Sequence, residues 1–115
     1  MKILIVDDNK NIREFIKEII ADLGFQIAEA SNGLMAITKV KLFNPEIILM
    51  DIKMDIMDGI EATIEIRKLS STARIIIVTD YSEKSLIDKA MKAGADEYLL
   101  KKELIKLKNL LSINK

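Results

Sequence analysis

The feature that most limits what this chain can become is one run, Arg74-Ile75-Ile76-Ile77-Val78-Thr79, together with four other runs that it resembles. A block of β-branched aliphatics reads as a strand. Because successive rather than alternate residues are apolar, both faces of that strand must be covered. Lys2–Val6 and Glu46–Met50 are of the same kind, and Asp96–Leu100 carries a shorter apolar stretch. Phe25–Ala30 alternates weakly and reads as a strand nearer a sheet edge.

Between these runs the apolar residues recur at helical spacing. Ile12, Phe15, Ile16, Ile19, Ile20 and Leu23 predict a first helix, with Asn9 or Asn11 as its cap and Gly24 at its end. Leu34, Ile37, Val40, Lys41 and Leu42 predict a second, closed by Asn44-Pro45. Asp58-Gly59-Ile60-Glu61 has the spacing of a capping box and starts a third helix carrying Ile60, Ile64 and Leu69. Ser82 is placed to cap a fourth, with Leu86, Ile87, Ala90 and Met91 inward and Gly94 at its end. A last amphipathic helix is expected from about Lys102 to Leu111.

Five strands alternating with five helices imply an α/β fold: a doubly wound parallel sheet with helices on both faces. The chain has 115 residues, half of them hydrophobic, enough for one domain around one core. There is no internal repeat and no linker. Only Ser112-Ile113-Asn114-Lys115 follows the last helix, so a single domain over residues 1–115 with no output domain is expected.

Eighteen basic and eighteen acidic residues balance, which removes any electrostatic case for nucleic acid or a membrane surface as direct partner. The absence of cysteine and histidine excludes disulfides, thiolate or imidazole metal sites and histidine-based catalysis. A metal held here must sit among oxygens, which points to a hard cation such as Mg2+. No apolar run approaches the roughly 18 residues of a spanning helix. The N-terminus reads as a strand rather than a signal peptide, so a cytoplasmic location is expected.

In a parallel sheet every strand delivers its last residue to the same rim. That rim therefore receives Asp7 and Asp8 from the first strand, Asp51 from the third, Thr79 from the fourth and Lys101 from the fifth. Each has an ordinary reading when taken alone: a lone Asp at a strand end usually caps a helix, and a lone Lys is usually surface. Asp58 is assigned to its cap and Asp55 to a solvated loop. An Asp-Asp pair is harder to dismiss, because only one side chain can cap.

Three crowded carboxylates repel and should destabilise the metal-free fold. A divalent cation would relieve them, and Asp7→Ala or Asp51→Asn should raise the metal-free melting temperature. Asp51 is a competent oxygen nucleophile for phosphoryl transfer, a reaction that needs mainly positioning and charge stabilisation. Two other motifs fail. Asp51-Ile52-Lys53-Met54-Asp55 lacks the third acidic position and central glycine of an EF-hand loop. Asp7-Asp8-Asn9 is acidic where a nucleotide-binding loop is glycine-rich.

Several segments together resemble the receiver domain of two-component response regulators. They are Ile3-Leu4-Ile5-Val6-Asp7-Asp8-Asn9, Met50-Asp51-Ile52-Lys53-Met54, Met57-Asp58-Gly59-Ile60-Glu61-Ala62, Ile77-Val78-Thr79 and Ala93-Gly94-Ala95-Asp96-Glu97-Tyr98-Leu99-Leu100-Lys101. The resemblance spans the whole chain and is closest to stand-alone chemotaxis-type receivers. It implies a flavodoxin-like sheet of order 2-1-3-4-5, with the crevice between strands one and three. It also implies that Asp51 accepts a phosphoryl group from a phosphohistidine of a sensor histidine kinase or phosphotransfer protein. Asp8 and Asp51 would ligate Mg2+ directly, Asp7 through water, and Lys53 through its backbone carbonyl.

By the same resemblance Lys101 would pair with one phosphoryl oxygen and Thr79 with another. Thr79 would move inward, Tyr98 would turn from an outward to an inward rotamer, and the face made by helix four, strand five and helix five would change its packing for a downstream protein. Such a protein catalyses only its own phosphorylation and dephosphorylation, and exists as a monomer or a phosphorylation-dependent dimer.

Three positions depart from the family pattern. Lys102 replaces a proline that usually follows a cis peptide, so a trans bond is expected. Asp80 replaces a small residue, and Asp55 replaces a proline. Asp80 and Lys102 support a second reading, a receiver-like docking module with impaired phosphorylation. A third, an aspartate-nucleophile phosphatase, needs a second Asp where Lys53 stands.

Overall fold

The structure, a computed structural model, describes residues 1–113. Its elements run β1 (Lys2–Val6), α1 (Lys10–Ile20), a 3-10 turn (Ala21–Leu23), β2 (Gln26–Ala30), α2 (Gly33–Phe43), β3 (Ile47–Met50), α3 (Gly59–Lys68), β4 (Arg74–Thr79), α4 (Lys84–Ala93), β5 (Glu97–Leu100), a second 3-10 stretch (Lys101–Lys106) and α5 (Leu107–Ile113). All strand pairs are parallel, in the order β2-β1-β3-β4-β5.

Alternate side chains along each strand point to opposite faces, and each face has its own helices. Leu4, Val6, Ile48, Met50, Ile75 and Ile77 pack with Ala36 and Val40 of α2, Ala62 and Ile66 of α3, and Ala90 of α4. Ile3, Ile5, Leu49, Ile76 and Val78 pack with Ile16 and Ile20 of α1 and Leu107 and Leu111 of α5. The central strands are apolar throughout because both of their faces are covered. β2 lies at an edge and keeps only Ala30 fully buried.

The caps follow the sequence in part. Asn9, not Asn11, caps α1, its Oδ1 accepting from the N–H groups of Asn11 (2.8 Å) and Ile12 (3.2 Å). Asp58 and Glu61 form the expected capping box. Asn32 caps α2 by accepting from the Met35 N–H at 2.8 Å. Ser82 is not a cap: α4 begins at Lys84, and Glu83 at its cap position makes no side-chain hydrogen bond to the helix. The last helix starts at Leu107 rather than near Lys102, after a 3-10 stretch that carries the chain off the sheet. Ser112 and Ile113 belong to it, while Asn114 and Lys115 lie outside the described residues.

The helical stripes also shift. α2 buries Gly33, Ala36 and Val40 and leaves Leu34 and Leu42 exposed. Met91 on α4, Ile64 on α3 and Leu69 at the end of α3 are likewise exposed. Small residues let a helix lie close on the sheet, so they, rather than every large aliphatic, define the buried face. No helix among the described residues is long and apolar enough to cross a membrane.

Candidate functional site

Register fixes which polar residues meet. Val6 is level with Met50, so the next residues, Asp7 and Asp51, leave adjacent strands side by side. The ladders run one step further: the Asp51 N–H donates to the Val6 carbonyl (2.9 Å) and the Asp7 N–H to the Ala30 carbonyl (3.1 Å). Beyond Asp51 the chain turns back sharply, and the Gly59 N–H donates to the Ile52 carbonyl at 2.8 Å. A Cβ at position 59 would fall 1.8 Å from the Asp51 carbonyl oxygen, so only glycine permits this loop.

Asp7, Asp8 and Asp51 each offer a carboxylate oxygen, and the three lie within 4.8 Å of one another. Asp7 and Asp51 are buried, at 2% and 5% exposure, and Asp8 is exposed. Lys101 reaches between the two buried groups, its Nζ 2.9 Å from Asp7 Oδ2 and 3.4 Å from Asp51 Oδ2. The second Asp51 oxygen accepts from the Ile52 N–H at 2.8 Å. Asp7 Oδ1 accepts from the Asn9 N–H (2.9 Å), and the Asp7 carbonyl accepts from Arg13 Nη1 (2.7 Å).

The charges leave a clear signature. Burial first, and then the neighbouring Asp7 charge, push the Asp51 carboxyl up to about 6; Lys101 and the Ile52 N–H pull it only part of the way back. Burial alone would lower the Lys101 pKa, but its hydrogen bond to Asp7 and the two carboxylate charges hold it above the ordinary lysine value. The site therefore has an internal counter-ion. Repulsion among the carboxylates, expected from the sequence to be relieved only by a metal, is already reduced by one ammonium.

Thr79 is fully buried at the end of β4, and its Oγ1 accepts from the Tyr81 N–H at 3.3 Å. The Tyr98 hydroxyl donates to the Tyr81 carbonyl at 2.6 Å, so the half-buried ring is turned toward the β4–α4 connection. Burial, with Glu83 nearby, raises the Tyr98 pKa. Lys53 is exposed, with its ammonium 5.5 Å from the centre of the Tyr81 ring; no donor among the described residues engages its carbonyl. Asp55 and Asp80 are exposed. The Lys101–Lys102 peptide is trans, as expected, and Lys101 still reaches both carboxylates.

The donor set fits a hard divalent cation: three carboxylates on one rim, with no histidine or cysteine in the chain. Two contributors were not singled out in the sequence. Gly59 was read only as part of a capping motif, although the tight return of the loop depends on it. Arg13 carries no local signal, because its contact with Asp7 depends on how α1 docks against β2.

Comparison with known proteins agrees with this geometry. The family model for the response regulator receiver domain matches residues 3–112. The chemotaxis protein CheY of Halobacterium salinarum is 43% identical over 101 residues, covering 87% of this chain and 83% of that protein. CheY of Bacillus subtilis is 42% identical, with 87% and 84% covered. Among solved structures, a CheY-like receiver domain from Methanospirillum hungatei superposes with a TM-score of 0.84 at 30% identity, covering 97% of this chain and 94% of that one. The CheX–CheY–BeF3–Mg2+ complex from Borrelia burgdorferi gives 0.86 at 28% identity, with 98% and 88% covered. On a family match over nearly all its length, this flavodoxin-like chain belongs to the response regulator receiver domains.

Proposed function

We propose that the protein is a phosphorylation-activated switch in which Asp51 is the acceptor. An Asp51 oxygen attacks the phosphorus of a phosphohistidine, the P–N bond breaks, and its electron pair returns to the imidazole. Asp51 then carries an acyl phosphate. The donor is a sensor histidine kinase or a histidine phosphotransfer protein. The observation that carries the reading is the placement of one buried carboxylate, with a raised pKa, between two further aspartates and an ammonium.

Lys101 already lies 3.4 Å from an Asp51 oxygen and needs only to follow the new charge outward to pair with a phosphoryl oxygen. Thr79 supplies a hydroxyl to another. Asp8, Asp51 and the Lys53 carbonyl would hold Mg2+ directly, with Asp7 acting through water; bound there, Mg2+ supplies neutralisation of phosphoryl charge. The Borrelia CheY relative, seen with Mg2+ and BeF3, supports that cation.

The hydrogen bonds from Tyr81 to Thr79 and from Tyr98 to Tyr81 give the switch a physical route. A change at the Thr79 hydroxyl alters the connection that Tyr98 holds, and so biases two packings of the face made by α4, β5 and α5. A groove on that face, lined by Tyr98, Lys106 and Leu110, suits a downstream protein. The protein works as a cytoplasmic receiver, monomeric or pairing on phosphorylation, and catalyses only its own phosphorylation and dephosphorylation. The docking-module reading loses one of its two supports, because the trans Lys101–Lys102 bond does not hold Lys101 away from the site.

The test is intact mass after incubation with Mg2+ and a small-molecule phosphodonor such as acetyl phosphate. One added phosphoryl group, absent in Asp51→Asn, supports the switch. No addition from either that donor or a histidine kinase favours the docking module, and turnover of many equivalents of a phosphate monoester points to a phosphatase.

A further inference from the structure

We propose that Arg13, on α1, is a positioning residue that holds the acidic pair in shape to receive the cation; the inference rests on the Mg2+ site proposed above. Asp7 and Asp8 are joined by one peptide unit. Among the described residues that unit has a single hydrogen bond, from Arg13 Nη1 to the Asp7 carbonyl at 2.7 Å. Arg13 is itself fixed: its Nε donates to Glu29 Oε1 on β2 at 2.8 Å, and the other Glu29 oxygen accepts from Lys17 at 2.9 Å. The arginine side chain is only 16% exposed.

The mechanics follow from that connectivity. A peptide plane with a free carbonyl can rotate while the chain on either side stays in place, and rotation here would swing the Asp8 carboxylate. The pressure to swing is present, since Asp8 shares the rim with two other carboxylates, and it is exposed enough to move toward water. The guanidinium suits the task because it spans two acceptors in a fixed plane, one on the loop and one on the sheet. It thereby ties the loop carrying two proposed ligands to β2.

The sign of the effect separates positioning from simple electrostatics. Arg13 is a cation near a cation site, so by charge alone its removal would tighten Mg2+ binding. Loss of positioning weakens it. The experiment is calorimetric titration of the metal-free protein with MgCl2 at 15 °C for the native chain, Arg13→Met and Arg13→Lys. Methionine keeps the aliphatic bulk and removes every donor; it should weaken Mg2+ about tenfold, as loss of outer-shell support typically does. Lysine keeps the charge but cannot span both acceptors, and should weaken binding by a smaller factor. If the methionine variant fails to fold, the lysine variant decides. Native or tighter affinity in the deciding variant overturns the proposal, even if its melting temperature falls. Failure of the native chain to bind Mg2+ removes the site reading itself, and this inference with it.

Discussion

Asp51 carries its charge in a setting that Lys101 only partly compensates, and the consequence is a pH dependence of unusual sign. Its folded pKa, about 6, lies above the ordinary 3.8. Between those values the native state binds more protons than the unfolded chain, so this group makes stability fall as pH rises. Above about pH 6 the penalty is complete, and at 1.36 kcal/mol per unit it amounts to at most about 3 kcal/mol. Asp51→Asn should therefore melt higher than the native protein at pH 7.5 without metal. The gap should close as pH falls from 6 to 4, and thermal melts of the pair across that range check it. Asp7→Ala, expected from repulsion alone to stabilise in the same way, also strips Lys101 of its nearer anion and the Asn9 N–H of its acceptor, so its gain should be the smaller.

A second residue stands out for strain. Ile56 has φ 71° and is 78% exposed, an arrangement that a β-branched side chain resists. Ile56→Gly should stabilise by about 1 kcal/mol, read as a higher urea midpoint at unchanged slope. The polar residues at strand ends were legible because their positions depend only on where each apolar run stops. The conformation at Ile56 and the Arg13 contact were not. Both are set by the path of a loop or the docking of a helix, which leave no periodic trace.

Among the α-helices, α4 is held most lightly. Ala90 is its only fully buried residue, and its first turn has no side-chain cap. The other end is anchored: Arg67 of α3 donates to the carbonyls of Gly94 (2.9 Å) and Ala73 (2.7 Å) and pairs with Asp96 at 2.9 Å. Amide exchange should be faster in the first turn of α4 than in the first turn of α3, where the Asp58–Glu61 box closes the helix. Glu83→Asp, which puts an effective cap acceptor in place, should slow exchange in that turn and add about 0.5 kcal/mol. Equal protection of the two turns in the native protein would refute this picture.

The sequence pattern identified all five strands and all five helices, because burial on two faces imposes uniform apolarity and helix docking imposes a period. It missed where α4 and α5 begin. At α4 a serine of good capping type lies one residue before the position that needs it, and a pattern cannot distinguish a 3-10 lead-in from the first turn of an α-helix.

At the scale of the molecule, binding of Mg2+ at the proposed site would be thermodynamically linked to the fold. A ligand bound only by the native state stabilises by mass action, by about 2.7 kcal/mol at one hundred times its dissociation constant. MgCl2 should therefore raise the melting temperature of the native chain, with EDTA reversing the gain. Asp51→Asn, which lacks one carboxylate of the cluster, should gain less. An equal response in both would place the cation elsewhere.

Uniform strand direction also divides the molecule into a reactive end and an inert end. Gly24 lies at the inert end, where the chain turns back into β2, in the left-handed region with open space around it. A fluorescent or affinity module spliced in after Gly24 would hang from the far side of the sheet, leaving the approach to the proposed acceptor, Asp51, clear for a donor protein. The one-way sheet thus gives the engineer a handle and the signalling chemistry its own separate doorway.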